Sequence, residues 1–251
     1  MELVPTLAER EVIFGKIARE LKDRLGENII SAIAYGSALC EDFVSVSDYD
    51  ILIVLNDTSV EYLNIIRDIK IFFGEGGVSV DLNVHSTAEM PQYRANAFWH
   101  NNRSHFMRLE LDIYGKILIG ENLFRADKIS ISELQLEGVH VINSLVYQAR
   151  KVLINRALDI EERNRMMKFC IYAVLYALAM HSRFPKTKTE AMKIFCDIYP
   201  NLQDPSLFLR TKITARGDIS DEIVYNAYAF LLKLDQSVFE FYSNNKTDET
   251  H

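Results

Sequence analysis

The chain has few cysteines, no long apolar run and no excess of basic residues. Its three cysteines, Cys40, Cys170 and Cys196, lie far apart in 251 residues and form no Cys-x-x-Cys pair. This usage argues against a disulfide framework or a cysteine zinc site, and it predicts a reduced, cytoplasmic protein. The longest apolar stretch, residues 169–180, is too short to span a bilayer, so we expect no membrane partner.

The charge balance is acidic. The sequence has 28 Lys and Arg residues against 35 Asp and Glu residues, a formal net charge of −7. Nucleic-acid binding depends on clustered basic residues, so we expect no nucleic-acid partner. An acidic surface is better suited to a cationic small molecule, or to an anion held by a few local basic groups. It is equally consistent with a charge that only keeps the protein in solution.

Hydrophobic periodicity predicts an α+β half followed by an all-helical half. In the first half, helical spacing covers residues 6–25, 59–73 and 91–112, and strand patterns cover residues 28–35, 49–55, 78–86 and 114–124. In the second half, helical spacing covers residues 133–158, 162–182 and 220–243, and a Thr-x-x-Glu capping box at Thr187 predicts another helix. We expect two domains, residues 1–125 and 126–251, the second with a polar C-terminal tail.

The apolar stripe of the first predicted helix is assigned to five residues. These are Leu7, Val12, Ile13, Ile17 and Leu21, with charged residues at the positions between them. This pattern is typical of an amphipathic helix that packs one face against a core.

Two aspartates stand at the start of a predicted buried strand. Asp48 and Asp50 are two residues apart, so their side chains share one face of that strand. Asp81 lies on the polar face of the alternating strand over residues 78–86 and is expected to join them. Carboxylates that converge in this way repel each other unless a cation intervenes, and Mg²⁺ prefers such oxygen ligands.

A Gly-Ser turn precedes the aspartate pair. Gly36 and Ser37 follow the strand over residues 28–35, and ten residues separate Ser37 from Asp48. Glycine lets the backbone approach a ligand closely, and the turn supplies N–H groups and a hydroxyl. Such a turn suits a phosphate group.

These motifs resemble the signature of the DNA polymerase beta-like nucleotidyltransferase superfamily. Its pattern is Gly-Gly or Gly-Ser after a strand, a short gap, Asp-x-Asp on the next strand, and a third carboxylate on a later strand. The matching positions are Gly36, Ser37, Asp48, Asp50 and Asp81. Ser47 completes the common Ser-Asp-x-Asp form. The resemblance implies a mixed sheet with flanking helices. One departure is the acidic loop ALCED, residues 38–42, where many members carry Arg or Tyr, so triphosphate charge must be met elsewhere.

Residues 30–120 and, more weakly, residues 133–200 resemble the aminoglycoside adenylyltransferase branch, which adds a helical bundle to the catalytic domain. The run VDLNV is close to the branch's Leu-Glu-Val-x-Val run, with Asp81 in place of Glu. YGKILIG resembles the end of the branch's catalytic domain, and residues 170–195 resemble a stretch of its second domain.

The resemblance implies transfer of a nucleoside monophosphate, AMP from ATP, to a hydroxyl of a small and possibly cationic acceptor such as an aminoglycoside antibiotic. Asp48 and Asp50 would hold two Mg²⁺ ions, and Asp81 would complete the second metal site, act as the base, or do both. Gly36 and Ser37 would hold the β- and γ-phosphates.

The remaining site residues are less specific. Arg183, Lys186 and Lys188 in the loop HSRFPKTK are candidates for binding the triphosphate in a cleft between the halves, although solvated cations near a helix end are equally ordinary. Trp99 and Glu110 are candidates for binding the acceptor, and a packing role for Trp99 is the competing interpretation.

Two other functions remain open. One is a nucleotide-binding regulatory or antitoxin-like member that binds or modifies a protein partner, which the complete aspartate set and the fused helical half disfavour. The other is a nucleic-acid polymerase or tRNA end-adding enzyme, which the acidic charge disfavours. The acceptor can be an aminoglycoside, a lincosamide, another hydroxylated metabolite or a protein side chain, and antibiotic resistance is one expected role.

Overall fold

The protein consists of two compact units. A computed structural model describes residues 4–41, 48–89, 105–124, 129–154, 158–214 and 219–248. Clustering of the backbone divides the chain into Met1–Asp127 and Lys128–His251. The first unit contains a sheet with flanking helices, and the described part of the second is helical. The predicted α+β class, with its helical second half, is confirmed.

The first unit alternates helices and strands. Its elements are α1 (Leu7–Leu25), β1 (Ile29–Tyr35), β2 (Tyr49–Leu55), α2 (Val60–Glu75), β3 (Val80–Ser86), α3 (His105–Tyr114) and β4 (Lys116–Ile119). A 3₁₀ turn, Gly36–Leu39, follows β1. The helix predicted over residues 91–112 is seen as α3, and its predicted part before residue 105 lies outside the described residues.

The described strands form one mixed sheet in the order β3-β2-β1-β4. β1 pairs antiparallel with β2 and β4, whereas β2 pairs parallel with β3. Because β2 runs opposite to β1 and alongside β3, the end of β1 lies beside the starts of β2 and β3. The sequence predicts that polar residues at these three places meet, and the topology brings them to one edge.

Both faces of the sheet are covered. Residues of β2 such as Ile51 and Ile53 pack with α1 and α2 in one cluster. On the other face, Leu52 and Val54 pack with α3 and with the fully buried Phe124. The strand β2 is therefore buried on both sides, as its continuous apolar run predicts.

The buried stripe of α1 differs from the predicted one. The buried residues are Arg10, Phe14, Ile17, Leu21 and Leu25, whereas Leu7 and Val12 are 53% and 59% exposed. Val12 lies on the opposite side of the helix from Phe14, and Leu7 lies in the first turn. A capping box between Thr6 and Glu9 starts the helix one turn before the core begins.

The second unit is a helical bundle. Its helices are α4 (Ile131–Ile154), α5 (Ile160–Ala179), α6 (Lys188–Ile198), α7 (Ser206–Thr214) and α8 (Asp221–Asp248). Thr187 caps α6 by accepting a hydrogen bond from the Glu190 N–H at 3.0 Å, as predicted. The sequence does not predict α7, and α8 extends into the predicted polar tail. Among the described residues, no helix is long and apolar enough to cross a membrane.

The corrected stripe of α1 predicts unequal effects of two truncations on one helix. Phe14 is 1% exposed and makes an edge contact with Tyr49 at 5.4 Å between ring centroids. We expect Phe14→Ala to lower the free energy of unfolding by about 3–5 kcal/mol. Val12→Ala should change it by less than about 0.5 kcal/mol, since Val12 is mostly exposed. Denaturant unfolding of both variants tests this, and equal losses would contradict the assignment.

Candidate active site

Strand register brings the candidate residues to one sheet edge. Tyr35 at the end of β1 pairs with Asp50 near the start of β2, and Asp50 pairs with Asp81 on the parallel strand β3. Side chains that pair directly across neighbouring strands lie on the same face. Asp48 precedes β2 by one residue, and Gly36 follows β1 directly. Four of the predicted site residues, with Ser37 beside Gly36, therefore lie at one edge.

Gly36 and Asp50 are in close contact. A Cβ atom built on Gly36 would lie 2.6 Å from Oδ2 of Asp50, and the φ angle of Gly36 is +74°. Both features require glycine, because a side chain would collide with the carboxylate and the backbone is in the left-handed region. The half-buried Ser37 begins the 3₁₀ turn with Gly36, and its carbonyl accepts a hydrogen bond from the Cys40 N–H at 3.0 Å.

Asp48 and Ser79 form a second contact at this edge. The Ser79 hydroxyl donates a short hydrogen bond to Oδ1 of Asp48. The Tyr49 N–H donates to the Ser79 carbonyl at 2.9 Å, which extends the pairing of β2 and β3 by one step. Ser79 was not identified from the sequence, but it precedes Asp81 by two positions and therefore shares its face. Asp48 itself is exposed to solvent.

Asp81 interacts with a lysine and an asparagine. Nζ of Lys70 on α2 lies 3.5 Å from Oδ1 of Asp81, and both side chains are about half exposed. Nδ2 of Asn83 lies 3.4 Å from Oδ2 of Asp81 and donates to the Tyr35 hydroxyl at 2.7 Å. The hydrogen bond from Asn83 to Tyr35 joins β3 to β1 across β2. The polar face predicted for β3 is therefore linked to β1 by side chains.

The oxygen atoms at this edge suit a hard cation chemically. Asp48, Asp50 and Asp81 offer carboxylate ligands of the kind that Mg²⁺ uses together with water and phosphate oxygens. Within the described ranges, however, no three His, Cys, Asp or Glu side chains lie close enough to hold one metal ion. Each carboxylate instead faces its own neighbour: Ser79, Gly36 or Lys70. The three carboxylates thus fit Mg²⁺ in ligand type and in strand position. Their side chains, however, are not arranged around a single metal position.

The opposite face of the edge contains a buried arginine. Arg10 on α1 is 5% exposed, and its Nη1 donates to the carbonyls of Ala38 and Cys40 at 2.9 and 2.6 Å. Its neighbour Tyr49 is also buried, and burial raises the pKa of the Tyr49 hydroxyl while the Arg10 charge partly opposes that rise. Arg10 was not identified from the sequence. The sequence feature that could have identified Arg10 is its position four residues before Phe14, in a helix stripe that is otherwise apolar.

The basic loop of the second unit is held by local hydrogen bonds. After α5 ends, Ser182 adopts a φ of +54°, and the Arg183 N–H donates to the Leu178 carbonyl at 3.0 Å. The Lys186 N–H donates to Oε2 of Glu190 at 2.9 Å. Arg183 and Lys186 are exposed, and Lys188 at the start of α6 is half-buried. Two of the three candidate cations therefore extend from a shaped loop into solvent.

His181 at the start of this loop is packed. It forms a 3.0 Å hydrogen bond with the Tyr199 hydroxyl and stacks near Phe241, with 4.1 Å between ring centroids. Burial lowers the pKa of His181, and the nearby positive charge of Arg183 lowers it further. The imidazole is therefore mainly neutral at pH 7 and packs at the end of α5, in the structural role that the sequence predicts for it.

The other candidates are less well defined. Glu110 lies on α3 and is half-buried, on a helix whose buried residues face the sheet. Ser47 and Trp99 lie outside the described residues. Neither is therefore assigned a place in the site.

Comparison with solved structures identifies an enzyme with the same fold. The chain is similar to the spectinomycin adenyltransferase AAD(9) from Enterococcus faecialis, whose crystal structure contains ATP and spectinomycin, with a TM-score of 0.60. The match covers 90% of this chain and 99% of that chain at 16% sequence identity. No protein-family model and no curated protein sequence matches the chain. The chain shares the fold of that adenyltransferase, as the resemblance predicts.

The contact between Gly36 and Asp50 can be tested with two glycines. Gly36 and Gly26 both have a positive φ, but a Cβ on Gly26 would meet nothing within 4 Å. Gly36→Ala should therefore cost more than Gly26→Ala, whose loss reflects only backbone strain of about 1 kcal/mol. Combining Gly36→Ala with Asp50→Ala should remove the excess, because the collision partner is gone. Denaturant unfolding measures the free energy of unfolding of each variant. If Gly36→Ala still costs more than Gly26→Ala when Asp50 is replaced by Ala, the contact is contradicted.

Proposed function

We propose that the protein is a nucleotidyltransferase that moves AMP from ATP to a hydroxyl group of a small, cationic acceptor of the aminoglycoside class. One observation carries the proposal: Asp50 and Asp81 are register partners beside Gly36, in a chain with an adenyltransferase fold. The fold alone is compatible with many activities, so the carboxylate pair is needed to support this one. The position of the carboxylates at one edge supports the proposal, because the resemblance implies carboxylates on these strands.

The reaction forms one bond and breaks one. The acceptor oxygen bonds to the α-phosphorus of ATP, and the bond from that phosphorus to the bridging oxygen breaks, so that pyrophosphate leaves. Asp81 takes the proton of the attacking hydroxyl, completes a metal site, or does both. Lys70 lies beside Asp81, with 3.5 Å between Nζ and Oδ1.

Asp48 and Asp50 would hold two Mg²⁺ ions, with Asp81 as a further ligand to the second. When bound, such ions neutralise phosphate charge and stabilise both the attacking and the leaving oxygen. The chain's own residues do the positioning. Gly36 and Ser37 would approach the β- and γ-phosphates through backbone and hydroxyl, and Ser47 remains a candidate as part of the Ser-Asp-x-Asp motif.

The helical unit is proposed to bind substrates. Residues 38–41, which follow the Gly36–Ser37 turn, contain no basic residue. Positive charge for the triphosphate would therefore come from Arg183, Lys186 and Lys188. Their loop is shaped in advance by hydrogen bonds from Arg183 and Lys186, which lowers the cost of ordering it on binding. Trp99 and Glu110 remain the candidates for the acceptor, where a carboxylate would pair with an ammonium group.

The activity test is release of pyrophosphate from ATP and Mg²⁺ with a panel of aminoglycosides and lincosamides. We expect release that depends on one compound, and a loss of at least about a hundredfold in Asp48→Asn. Asp68→Asn on the surface of α2 is the matched control and should keep full activity. Full activity in Asp48→Asn would overturn the assignment. Binding of ATP without release for any compound would favour a regulatory role or a protein acceptor.

The basic loop is tested separately. Replacing Arg183 and Lys186 by Ala should raise the KM for ATP about tenfold or more, because each cation contributes to binding a charged phosphate. The acceptor KM should change little. Lys193→Ala, on the same helix as Lys188, is the control for loss of positive charge. Equal effects of the loop variant and the control on the KM for ATP would show that the loop does not contact the triphosphate.

A further inference from the structure

We propose that Arg10 is a positioning residue that fixes the Gly36–Ser37 loop against the aspartate strand. The proposal rests on the proposed function for the identity of the ligand, a nucleoside triphosphate. It assigns a role in phosphate binding to a residue that lies behind the loop and contacts its backbone. Its geometry can be tested without any ligand.

The contacts of Arg10 fall at the end of the loop. The 3₁₀ turn Gly36–Leu39 finishes at Cys40, and Nη1 of Arg10 donates to the carbonyls of Ala38 and Cys40 at 2.9 and 2.6 Å. Carbonyl groups at the end of a helical turn lack partners within the turn, so a donor from elsewhere must satisfy them. Arg10 supplies it, and the path of the loop back to Gly36 is thereby fixed.

The same helix also holds the start of β2. Phe14, one turn after Arg10, packs edge-on against Tyr49, which stands between Asp48 and Asp50. Tyr49 is 3% exposed and points away from the carboxylate face. α1 therefore holds the glycine loop through Arg10 and the aspartate strand through Phe14. The distance between the two parts of the site is set by one turn of helix.

Burial of an arginine at this position needs a reason. Arg10 continues the buried stripe of Phe14, Ile17 and Leu21, where an apolar residue would pack without loss of hydration. Removing a guanidinium from water is costly, and an apolar replacement of a buried charge is often as stable. The hydrogen bonds to the carbonyls of Ala38 and Cys40 offset that cost, and they fix the loop that follows Gly36. Arg10 also places a permanent positive charge behind a loop whose residues 38–41 include Glu41 and no cation.

The test compares Arg10→Met with Arg19→Met. Arg19 is exposed on the same helix, so the two variants lose the same charge. In Arg10→Met we expect the Kd for ATP with Mg²⁺ to rise at least about tenfold, because buried hydrogen bonds to a charged group are lost. The Kd for AMP, which lacks the β- and γ-phosphates, should change less than about twofold. Arg10→Lys should recover part of the ATP affinity, since it keeps the charge and a donor.

A second readout follows the loop itself. Amide hydrogen exchange over residues 36–41 should speed up in Arg10→Met and stay unchanged in Arg19→Met, while the exchange of β2 is retained. If Arg10→Met does not fold, Arg10→Lys is measured in the same way. ATP affinity within twofold of wild type in folded Arg10→Met, or in Arg10→Lys where Arg10→Met does not fold, would overturn the inference. An equal loss of ATP and AMP affinity would also overturn it, because the whole site would then be disturbed.

Failure of the proposed function gives a different result. A wild-type protein that binds neither ATP nor AMP would contradict nucleotidyl transfer. The positioning role of Arg10 would then be tested by hydrogen exchange alone. Faster exchange over residues 36–41 would support its positioning role. Unchanged exchange would overturn it.

Discussion

The candidate site depends on the pairing of β2 with strands on both sides. β2 runs antiparallel to β1 and parallel to β3, and this places Asp50 opposite Tyr35 on one side and Asp81 on the other. A shift of one residue in either pairing would turn the carboxylates to the apolar face. The register is fixed by the buried residues of β2, including Ile51, Leu52 and Ile53, which pack on both sides of the sheet. The geometry of the candidate site is therefore a consequence of core packing.

Most of the fold was predictable because its elements have strong periodicity. The strand at residues 49–55 was predicted to the residue, and the cap at Thr187 was correct, since both signals are local. The errors have physical causes. Helix α7, Ser206–Thr214, was missed because nine residues carry little periodic signal. The assignment of Val12 to the buried stripe of α1 failed because apolar residues also occur on exposed helix faces.

The meeting of the candidate residues at one strand edge was predictable from the sequence. The spacing of Asp48, Asp50 and Asp81 gives shared faces, and the sheet order brings those faces together. Partners contributed by distant segments were not readable, because Lys70 on α2 and Arg10 on α1 reach the site only through tertiary packing. A charged residue within an apolar helical stripe is the one local signal that pointed to Arg10.

In the proposed function, this edge binds a nucleoside triphosphate together with Mg²⁺ through its carboxylates. Calorimetric titration of ATP into the protein, with and without Mg²⁺, for wild type and Asp50→Asn, tests it most directly. We predict binding in the wild type that requires Mg²⁺ and that is lost in Asp50→Asn while the protein stays folded. Binding of equal affinity in both proteins, or binding indifferent to Mg²⁺, would contradict it.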